Sequence, residues 1–257
     1  MSTLNLTLLQ QPLVWCDGEA NLRHFDQCLA ALTGRDVIAL PEMFTTGFAM
    51  EASKSALSEQ RVIDWLRGWA AKTNALIGGS VAIRTANGAV NRFLMVEPGG
   101  RVHGYDKRHL FRMAGEHLHY QAGDRREIIE WRGWRILPQI CYDLRFPVWS
   151  RNQQDYDLAL YVANWPAARR QHWQTLLAAR AIENQAYVAG CNRVGEDGNG
   201  ICYSGDSLIL SPQGEPLADA APHTAAQLDA ALSRDDLQHY RAAFPAWRDA
   251  DRFQCHD

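Results

Sequence analysis

Residues 140–147 read ICYDLRFP and place a cysteine between a predicted strand and a predicted helix. The strand covers Trp134 to Cys141, where apolar residues dominate, and the helix covers Phe146 to Asn152. A second apolar strand follows at Leu158 to Ala163, and Gln171 to Asn184 is predicted as a longer helix. Alternating strands and helices are typical of an α/β fold in which helices cover the faces of a sheet.

The amino-terminal part of the chain begins with the same alternation. Strands are predicted over Leu4 to Gln10 and Asp36 to Leu40, and helices over Glu19 to Leu32 and Ser58 to Lys72. The pattern then changes to hairpins with turns at Asn87-Gly88 and Pro98-Gly99-Gly100, over the strands Ile77–Arg84, Arg92–Glu97 and Val102–Asp106. Three more strands are expected near the carboxyl end, at Ala186–Cys191, Ser207–Leu210 and Gln227–Ala231.

One proline falls inside a predicted strand. Pro138 has no backbone N–H to donate, and prolines of this kind occur in sheets at bulges or at edge positions. The sequence allows either place for it.

The composition is that of a globular chain with a large core. Of the 257 residues, 47% are hydrophobic and 21% are charged, a balance that needs no disulfides to hold a fold together. No repeat or low-complexity linker divides the chain, so we expect a single domain over residues 1–257. No CxxC pair occurs, which predicts neither a disulfide framework nor a zinc cage among the six cysteines Cys16, Cys28, Cys141, Cys191, Cys202 and Cys255.

The charge pattern argues against several partners. The formal net charge is −3, which gives no field that would attract nucleic acid or anionic lipid. The pairs Arg125-Arg126 and Arg169-Arg170 are too short to form a basic stripe and are interpreted as solvated faces. No targeting segment and no run of about 18 apolar residues is present, so we expect a cytoplasmic protein without nucleic acid or membrane partners.

Three segments carry side chains suited to covalent catalysis. They are Leu40-Pro41-Glu42, the sequence YDKRHL at residues 105–110, and ICYDLRFP. Each follows a predicted strand, and α/β sheets place their sites at the carboxyl ends of strands. We therefore expect the carboxylate of Glu42, the ammonium of Lys107 and the thiol of Cys141 to meet in one cleft.

Each of these groups has a distinct chemical use. The ammonium of Lys107 and the following helix N-terminus predict a lowered pKa for the Cys141 thiol, which supplies thiolate. Glu42 is suited to accept the thiol proton, to deliver it to departing ammonia and then to activate water. Lys107 and the backbone N–H of Tyr142 are candidates to hold the carbonyl oxygen, a role worth roughly 3–4 kcal/mol per donor. Taken singly, each residue also has a structural explanation, as a buried thiol, a helix cap or a solvated lysine.

Taken together, the three segments resemble the nitrilase superfamily. Its PE(M/L), DK and CYD-type motifs occur in this order and here read PEM, YDKRHLF and CYDLRFP. The resemblance covers essentially the whole chain and includes Asn164-Trp165-Pro166 and the sequence RAIEN at residues 180–184. It implies a four-layer αββα sandwich, a triad of Glu42, Lys107 and Cys141, a homodimer, and no cofactor or metal.

The resemblance also implies a second glutamate near the site. Glu116, seven residues before Gly123, stands at the corresponding position, although a loop charge is the alternative. Within the superfamily the chain is most similar to bacterial omega-amidases, which hydrolyse the terminal amide of small 2-oxo acids such as 2-oxoglutaramate and 2-oxosuccinamate. Deaminated-glutathione amidases carry nearly the same CYDLRFP, so the triad segments do not separate the two.

A substrate of this kind carries a carboxylate, which requires a cation in the pocket. Arg145 is the candidate because arginine can bind a carboxylate with two parallel hydrogen bonds, and an ion pair with Asp143 is the alternative. Phe48, Tyr120 and Trp165 form either an apolar wall that limits substrate length or ordinary core.

Three histidines, His109, His117 and His119, match no standard zinc spacing and are interpreted as loop residues. The predicted function is therefore an omega-amidase that releases ammonia from a small amide through a cysteine thioester. The alternatives are a deaminated-glutathione amidase, a nitrilase that acts on small nitriles with the same triad, and an inactive interaction protein on the same fold.

Overall fold

The computed structural model describes residues 2–51, 55–86, 88–251 and 253. Within them, the strands are β1 (Thr3–Gln10), β2 (Val37–Ala39), β3 (Leu76–Thr85), β4 (Gly88–Val96), β5 (Val102–Asp106), β6 (Ile129–Trp131), β7 (Trp134–Ile140), β8 (Leu158–Ala163), β9 (Tyr187–Asn192), β10 (Val194–Glu196), β11 (Cys202–Ser204), β12 (Leu208–Leu210), β13 (Pro216–Asp219) and β14 (Ala226–Ser233). The α-helices are α1 (Gly18–Leu29), α2 (Glu59–Thr73), α3 (Pro147–Ser150), α4 (Arg170–Asn184) and α5 (Arg234–Ala243).

The strands form two six-stranded sheets of similar construction. The first has the order β14-β1-β2-β3-β4-β5, and the second has the order β13-β12-β9-β8-β7-β6. Each contains three neighbouring parallel strands, β1-β2-β3 in one and β7-β8-β9 in the other, with antiparallel strands on both sides. Strands β10 and β11 form a separate antiparallel pair.

Three apolar layers hold the sheets and helices together. Between the sheets, side chains such as Leu6 and Leu8 from β1 share one core with Leu160 and Val162 from β8. On the outer face of the first sheet, α1 and α2 contribute a second core, and α4 forms a third core on the outer face of the second sheet. This is the four-layer αββα sandwich, and the prediction of that fold class is confirmed.

Local sequence explains where the helices covering the first sheet begin. The Asp17 side chain accepts a hydrogen bond from the backbone N–H of Ala20, and Ser58 accepts one from Arg61, so both helices start at a capping residue. Helix α2 ends at Asn74, which adopts a left-handed conformation suited to a helix end. The buried residues of α2 recur at helical spacing and face the sheet.

Most predicted elements are present, with differences at the ends. The predicted helix over Phe146 to Asn152 is limited to α3, and β4 begins at Gly88 rather than at Arg92. Strands β6, β10, β11 and β13 and helix α5 were not predicted. Asn87, which belongs to a predicted turn, and Cys255 lie outside the described residues.

Pro138 occupies an edge position rather than a bulge. Strand β6 pairs with β7 only from Trp134 to Ile136, whereas β7 continues to pair with β8 in regular register through Pro138 and beyond. The missing N–H of the proline is therefore tolerated where β7 has a neighbour on one side only. Among the described residues, none of the helices has both the length and the apolar character needed to cross a membrane.

Candidate active site

The predicted site residues come together beyond the carboxyl ends of strands from both sheets. Glu42 follows β2, Lys107 follows β5 and Cys141 follows β7. Close packing fixes the Lys107 segment, because Gly123 donates its backbone N–H to the Lys107 carbonyl at 2.9 Å. A Cβ atom at Gly123 would lie 2.2 Å from the Asp106 carbonyl oxygen, so a larger residue there would displace this segment.

Lys107 connects two buried carboxylates. Its Nζ atom donates to Oε1 of Glu42 at 2.9 Å and to both carboxylate oxygens of Glu116 at 3.0 Å. All three side chains are fully buried. The structure therefore places Glu116 directly against Lys107, which is not the arrangement of a solvated loop charge.

Two asparagines complete this arrangement. Asn91 on β4 donates to Oε1 of Glu42 at 2.9 Å and to Oε1 of Glu116 at 3.4 Å. Asn164, which follows β8, donates its backbone N–H to Oε2 of Glu42 at 2.7 Å and its side chain to the Glu42 carbonyl at 2.6 Å. We call Glu42, Asn91, Lys107, Glu116 and Asn164 the buried network.

The charges within the buried network stabilise one another. Burial alone lowers the pKa of Lys107, but the carboxylates of Glu116 and Glu42 outweigh it and raise the pKa above its ordinary value. Lys107 is therefore an ammonium near neutral pH. Burial raises the pKa of Glu116, and Lys107 opposes that rise. A second carboxylate beside Glu42 thus holds the ammonium of Lys107 in place.

Cys141 lies on a strained turn next to the buried network. Its φ of 45° falls in the left-handed region, which few residues with a side chain adopt, at the junction of β7 with a 3-10 helix over Cys141–Arg145. Burial raises the pKa of its thiol well above the ordinary value, and the carboxylate of Glu42 adds to the rise more than the ammonium of Lys107 reduces it.

The predicted lowering of the Cys141 pKa is therefore wrong for the free protein. The prediction considered the charge of Lys107 but not those of Glu42 and Glu116, which raise the pKa of the thiol. It also expected a helix N-terminus, whereas the turn after Cys141 is a 3-10 helix of five residues. The thiol is protonated near neutral pH and has a carboxylate ready to accept its proton.

Asp143 links the segments that carry Lys107 and Cys141. Its buried carboxylate accepts hydrogen bonds from the Tyr105 hydroxyl at 2.8 Å, from the backbone N–H of His109 at 3.0 Å and from His109 Nδ1 at 2.8 Å. It also accepts one from the backbone N–H of Ile140 at 3.0 Å. The alternative of an ion pair between Asp143 and Arg145 is not the arrangement found.

A cavity of about 220 Å³ opens at Cys141. Lys107 and Asn164 of the buried network reach it, and several predicted substrate-binding residues line it, namely Phe48, Tyr142, Arg145 and Trp165. The ring of Phe48 lies 5.0 Å from Lys107 Nζ. Tyr120 does not line the cavity: it is buried in a core cluster with Met43 and Ala49 and donates its hydroxyl to the Ala49 carbonyl at 3.0 Å. Its predicted place in the pocket wall is not the one observed.

Other features of the surface lack this convergence. A larger cleft of about 490 Å³ contains none of the predicted site residues, and Arg92 in its wall is paired with both Asp106 and Glu59. Of the three loop histidines, His109 is bonded to Asp143 and stacks on Phe146, and in the part of the chain that the structure describes no group of three metal-binding side chains converges.

Sequence reasoning missed three residues of the site. Asn164 follows an apolar strand, as Cys141 does, so the same signal could have identified it. Asp143 was considered only as a partner for Arg145. Asn91 lies inside β4 without any local signal, and its role depends on the pairing of strands that brings it beside Glu42.

Comparisons with known families and proteins give consistent matches. The carbon-nitrogen hydrolase family model matches residues 5–242. The chain is 72% identical over 253 residues to the omega-amidase YafV of Yersinia enterocolitica, which covers 98% of this chain and 99% of that protein. It is 37% identical over 191 residues to a 2-oxoglutaramate amidase of Bacillus subtilis, covering 72% of this chain and 73% of that protein.

A solved structure agrees along the full length. The crystal structure of a CN-hydrolase superfamily protein from Xanthomonas campestris, which has an arsenic adduct in its active site, matches with a TM-score of 0.97 and 44% sequence identity, and the match covers 100% of both chains. The family model, the sequence relatives and this structure lead to one assignment. The chain belongs to the carbon-nitrogen hydrolase family, in the nitrilase superfamily.

Proposed function

We propose that this protein is an omega-amidase that hydrolyses the terminal carboxamide of a small 2-oxo acid through a thioester at Cys141. The observation that carries the proposal is the position of the thiol: it opens into the same cavity as Lys107, whose ammonium is hydrogen-bonded to the buried carboxylate of Glu42 at 2.9 Å. Two relatives of the chain are named omega-amidase and 2-oxoglutaramate amidase, which supports the substrate class.

Acylation begins with attack of Cys141 Sγ on the amide carbon while the thiol proton passes to Glu42. Negative charge develops on the carbonyl oxygen, where the Lys107 ammonium and the backbone N–H of Tyr142 stabilise it. The C–N bond then breaks as Glu42 returns the proton to the departing nitrogen. Ammonia leaves, and the acyl group remains on sulfur as a thioester.

Deacylation uses the same carboxylate. Glu42 takes a proton from a water molecule, which attacks the thioester carbon, and the same two donors stabilise the second oxyanion. The C–S bond breaks, the acid is released, and the proton returns to the thiolate. Hydrogen bonds from Asn164 and Asn91 to Glu42 keep its carboxylate aligned through both halves.

Glu116 has a different role in this proposal. It contacts Lys107 with both oxygens and also accepts a hydrogen bond from the backbone N–H of Phe111 at 2.5 Å. The carboxylate therefore holds the ammonium in position and anchors the loop beside the cavity. On the substrate side, Arg145 lines the cavity and is proposed to contact the carboxylate, with Phe48 and Trp165 forming the apolar wall.

The experiment is a comparison of ammonia release from four compounds. They are 2-oxoglutaramate, 2-oxosuccinamate, deaminated glutathione and a small aliphatic nitrile. We expect the highest kcat/KM with one of the two 2-oxo acid amides. A clear preference for deaminated glutathione or for the nitrile would reassign the enzyme within the family. Release of ammonia from none of these would favour an interaction protein that retains the fold.

We also propose that the chain is one catalytic domain that acts as a cytoplasmic homodimer. The match of the family model to residues 5–242 supports the single domain. A mechanism that needs a free thiol fits a reducing compartment.

The dimer is supported by exposed apolar side chains. Val148 on α3 and Ile182 on α4 are exposed apolar side chains of the kind that an interface covers. Sedimentation equilibrium tests the dimer, and a single monomeric species at micromolar concentration would contradict it.

A further inference from the structure

Two arginine side chains, Arg145 and Arg169, line the cavity that contains Cys141, and in the described part of the chain their side chains contact aromatic rings rather than acidic residues. Arg145 stacks with its guanidinium carbon 4.8 Å from the ring centre of Trp165 and donates to His172 Nδ1 at 3.1 Å. This arrangement orients the side chain but leaves its charge without a carboxylate.

Arg169 is held in a similar way from a different element. Its guanidinium carbon lies 5.6 Å from the ring centre of Phe111. Its backbone carbonyl accepts a hydrogen bond from Trp165 Nε1 at 2.8 Å, so the chain at this position is tied to the aromatic wall of the cavity. Phe111 and Trp165 thus place both guanidinium groups at the same opening.

The neighbouring arginine shows what a structural role looks like here. Arg170 donates to the buried carboxylate of Asp206 with two hydrogen bonds, at 2.5 and 3.2 Å, and its charge is thereby matched inside the protein. Arg169 has no such partner although it adjoins Arg170 in sequence. Arg169 and Arg170, which were predicted together to be a solvated pair, therefore differ in what their charges contact.

The balance of charge in the cavity identifies the ligand. The buried network contains two carboxylates and one ammonium, so it does not attract an anion, whereas the two arginines at the opening do. A guanidinium bound to an aromatic face still presents N–H donors at its edge, and a carboxylate can accept two of them in parallel. Because Cys141 lines the same cavity, an anion bound there could extend its other end to the thiol.

We infer that Arg169 joins Arg145 in a carboxylate-binding site that selects amides with a negatively charged group at the end opposite the carboxamide. This inference rests on the proposed function and extends it, because it assigns a specificity-determining role to Arg169.

The test compares a charged substrate with a neutral one of the same chain length, 2-oxoglutaramate and pentanamide. Arg169→Ala should lower kcat/KM for 2-oxoglutaramate about 10- to 150-fold, mainly through KM, because a charge-assisted hydrogen bond is lost. The same variant should change kcat/KM for pentanamide by less than about threefold. Arg169→Lys should recover part of the loss because it keeps the charge without the planar group.

Arg112→Ala is the matched control. Arg112 is exposed on the loop between Phe111 and Glu116 and is not among the residues lining the cavity. Arg112→Ala should leave kcat/KM within about twofold of wild type for both substrates. This result would show that the effect of Arg169 comes from direct contact with the substrate and not from long-range attraction by any nearby positive charge. The inference would be overturned if Arg169→Ala lowered kcat/KM equally for the charged and the neutral amide, or if it did not lower kcat/KM for the charged one.

A binding measurement keeps this test independent of turnover. Calorimetric titration of 2-oxoglutaramate into Cys141→Ala, and into the same variant with Arg169→Ala, should show at least about tenfold weaker binding in the double variant. Equal binding to both would refute the carboxylate site even if the enzyme is an omega-amidase. Failure of the wild type to release ammonia, with the difference in binding retained, would instead refute the proposed reaction and leave the carboxylate site standing.

Discussion

The buried network and the opening of the cavity treat charge in opposite ways. In the buried network, the ammonium of Lys107 is shared between Glu42 and Glu116, and all three side chains are fully buried. At the opening, Arg145 and Arg169 contact aromatic rings and have no acidic partner among the described residues. We call Met113, Arg145, Arg169 and Ile201 the rim; all four line the cavity, and Met113 is 75% exposed and Ile201 41% exposed.

This difference separates two functions. Charges that are matched inside the protein fix the positions of groups that must meet the reacting carbon, since buried ions are tolerated only with good partners. Charges left unmatched at the rim are available to a ligand. We therefore expect substitutions in or beside the buried network to lower kcat or to destabilise the fold, and substitutions at the rim to change KM. The following predictions test that division.

The largest effect is expected for Cys141→Ala. Loss of the nucleophile should lower kcat by at least about 10⁴-fold with an unchanged fold, because no other group can form the thioester. Cys191→Ala is the control, since Cys191 is also buried at the end of a strand, where its thiol contacts the Leu9 and Ala39 carbonyls at 3.5 Å. That variant should lose stability and keep kcat. Ammonia release and thermal denaturation distinguish the two, and substantial turnover by Cys141→Ala would refute the covalent mechanism.

Lys107→Met should have the next largest effect. We expect kcat/KM to fall about 100- to 1,000-fold because an oxyanion donor is lost. Stability should fall by about 3–5 kcal/mol, since two buried carboxylates lose their partner. Adding Glu116→Gln to this variant removes one of those carboxylates, so it should restore part of the stability measured by urea denaturation without restoring activity. A kcat/KM within about threefold of wild type would end the proposed role of Lys107.

The reactivity of Cys141 with pH distinguishes the structure from the sequence-based expectation. Because burial and Glu42 raise the thiol pKa well above its ordinary value, thiolate should still be scarce at neutral pH. The rate of alkylation by iodoacetamide should then rise about tenfold per pH unit between pH 7 and pH 9, about 100-fold in total. Mass spectrometry of the modified peptide measures the rate. A plateau below pH 8 would indicate the lowered pKa that the sequence suggested.

Asp143→Asn tests a positioning residue that touches neither the substrate nor the reacting atoms. All its partners are donors, and an amide group would place an N–H against one of them. We expect kcat to fall about 10- to 50-fold with little change in KM, because the segments bearing Lys107 and Cys141 lose their common anchor.

The matched control for that variant is Asp157→Asn. Asp157 is also a buried carboxylate with several hydrogen bonds, from Arg135 and Arg241, but it lies outside the cavity. It should lower the melting temperature to a similar degree and leave kcat unchanged. Similar kcat values for the two variants would reduce Asp143 to a purely structural role.

The sequence could predict the parts of the site that follow strands. Glu42, Lys107 and Cys141 each follow a predicted strand, and α/β sheets usually place their sites at the carboxyl ends of strands. Tertiary structure alone reveals the rest. Asn91 lies beside Glu42 because of the register in which β4 pairs with β3. For Tyr120, the sequence allowed either the cavity wall or the hydrophobic core, and the hydrogen bond from its hydroxyl to the Ala49 carbonyl places it in the core.

Arg169 and Arg170 are a second case in which the roles of residues could not be predicted from the sequence. Adjacent identical residues give no local reason to assign them different roles. The distinction arises because Asp206, 36 residues further along the chain, approaches one of them and not the other. The direction of the Cys141 pKa shift could not be predicted from the sequence either, because it depends on the burial of the thiol and on the positions of Glu42, Lys107 and Glu116 around it.

The smallest effect is expected for Met113→Ala at the rim. Met113 lines the cavity but is 75% exposed, so the side chain offers a substrate a limited apolar contact worth about 1 kcal/mol. KM should therefore rise by no more than about fivefold, and kcat should stay within about twofold, because this exposed side chain is not one of the residues that form the buried network. Leu118→Ala is the control: Leu118 is equally exposed on the same loop and is not among the residues lining the cavity. If Met113→Ala lowered kcat while Leu118→Ala did not, the rim would take part in catalysis. That result would contradict the assignment of kcat to the buried network and of KM to the rim.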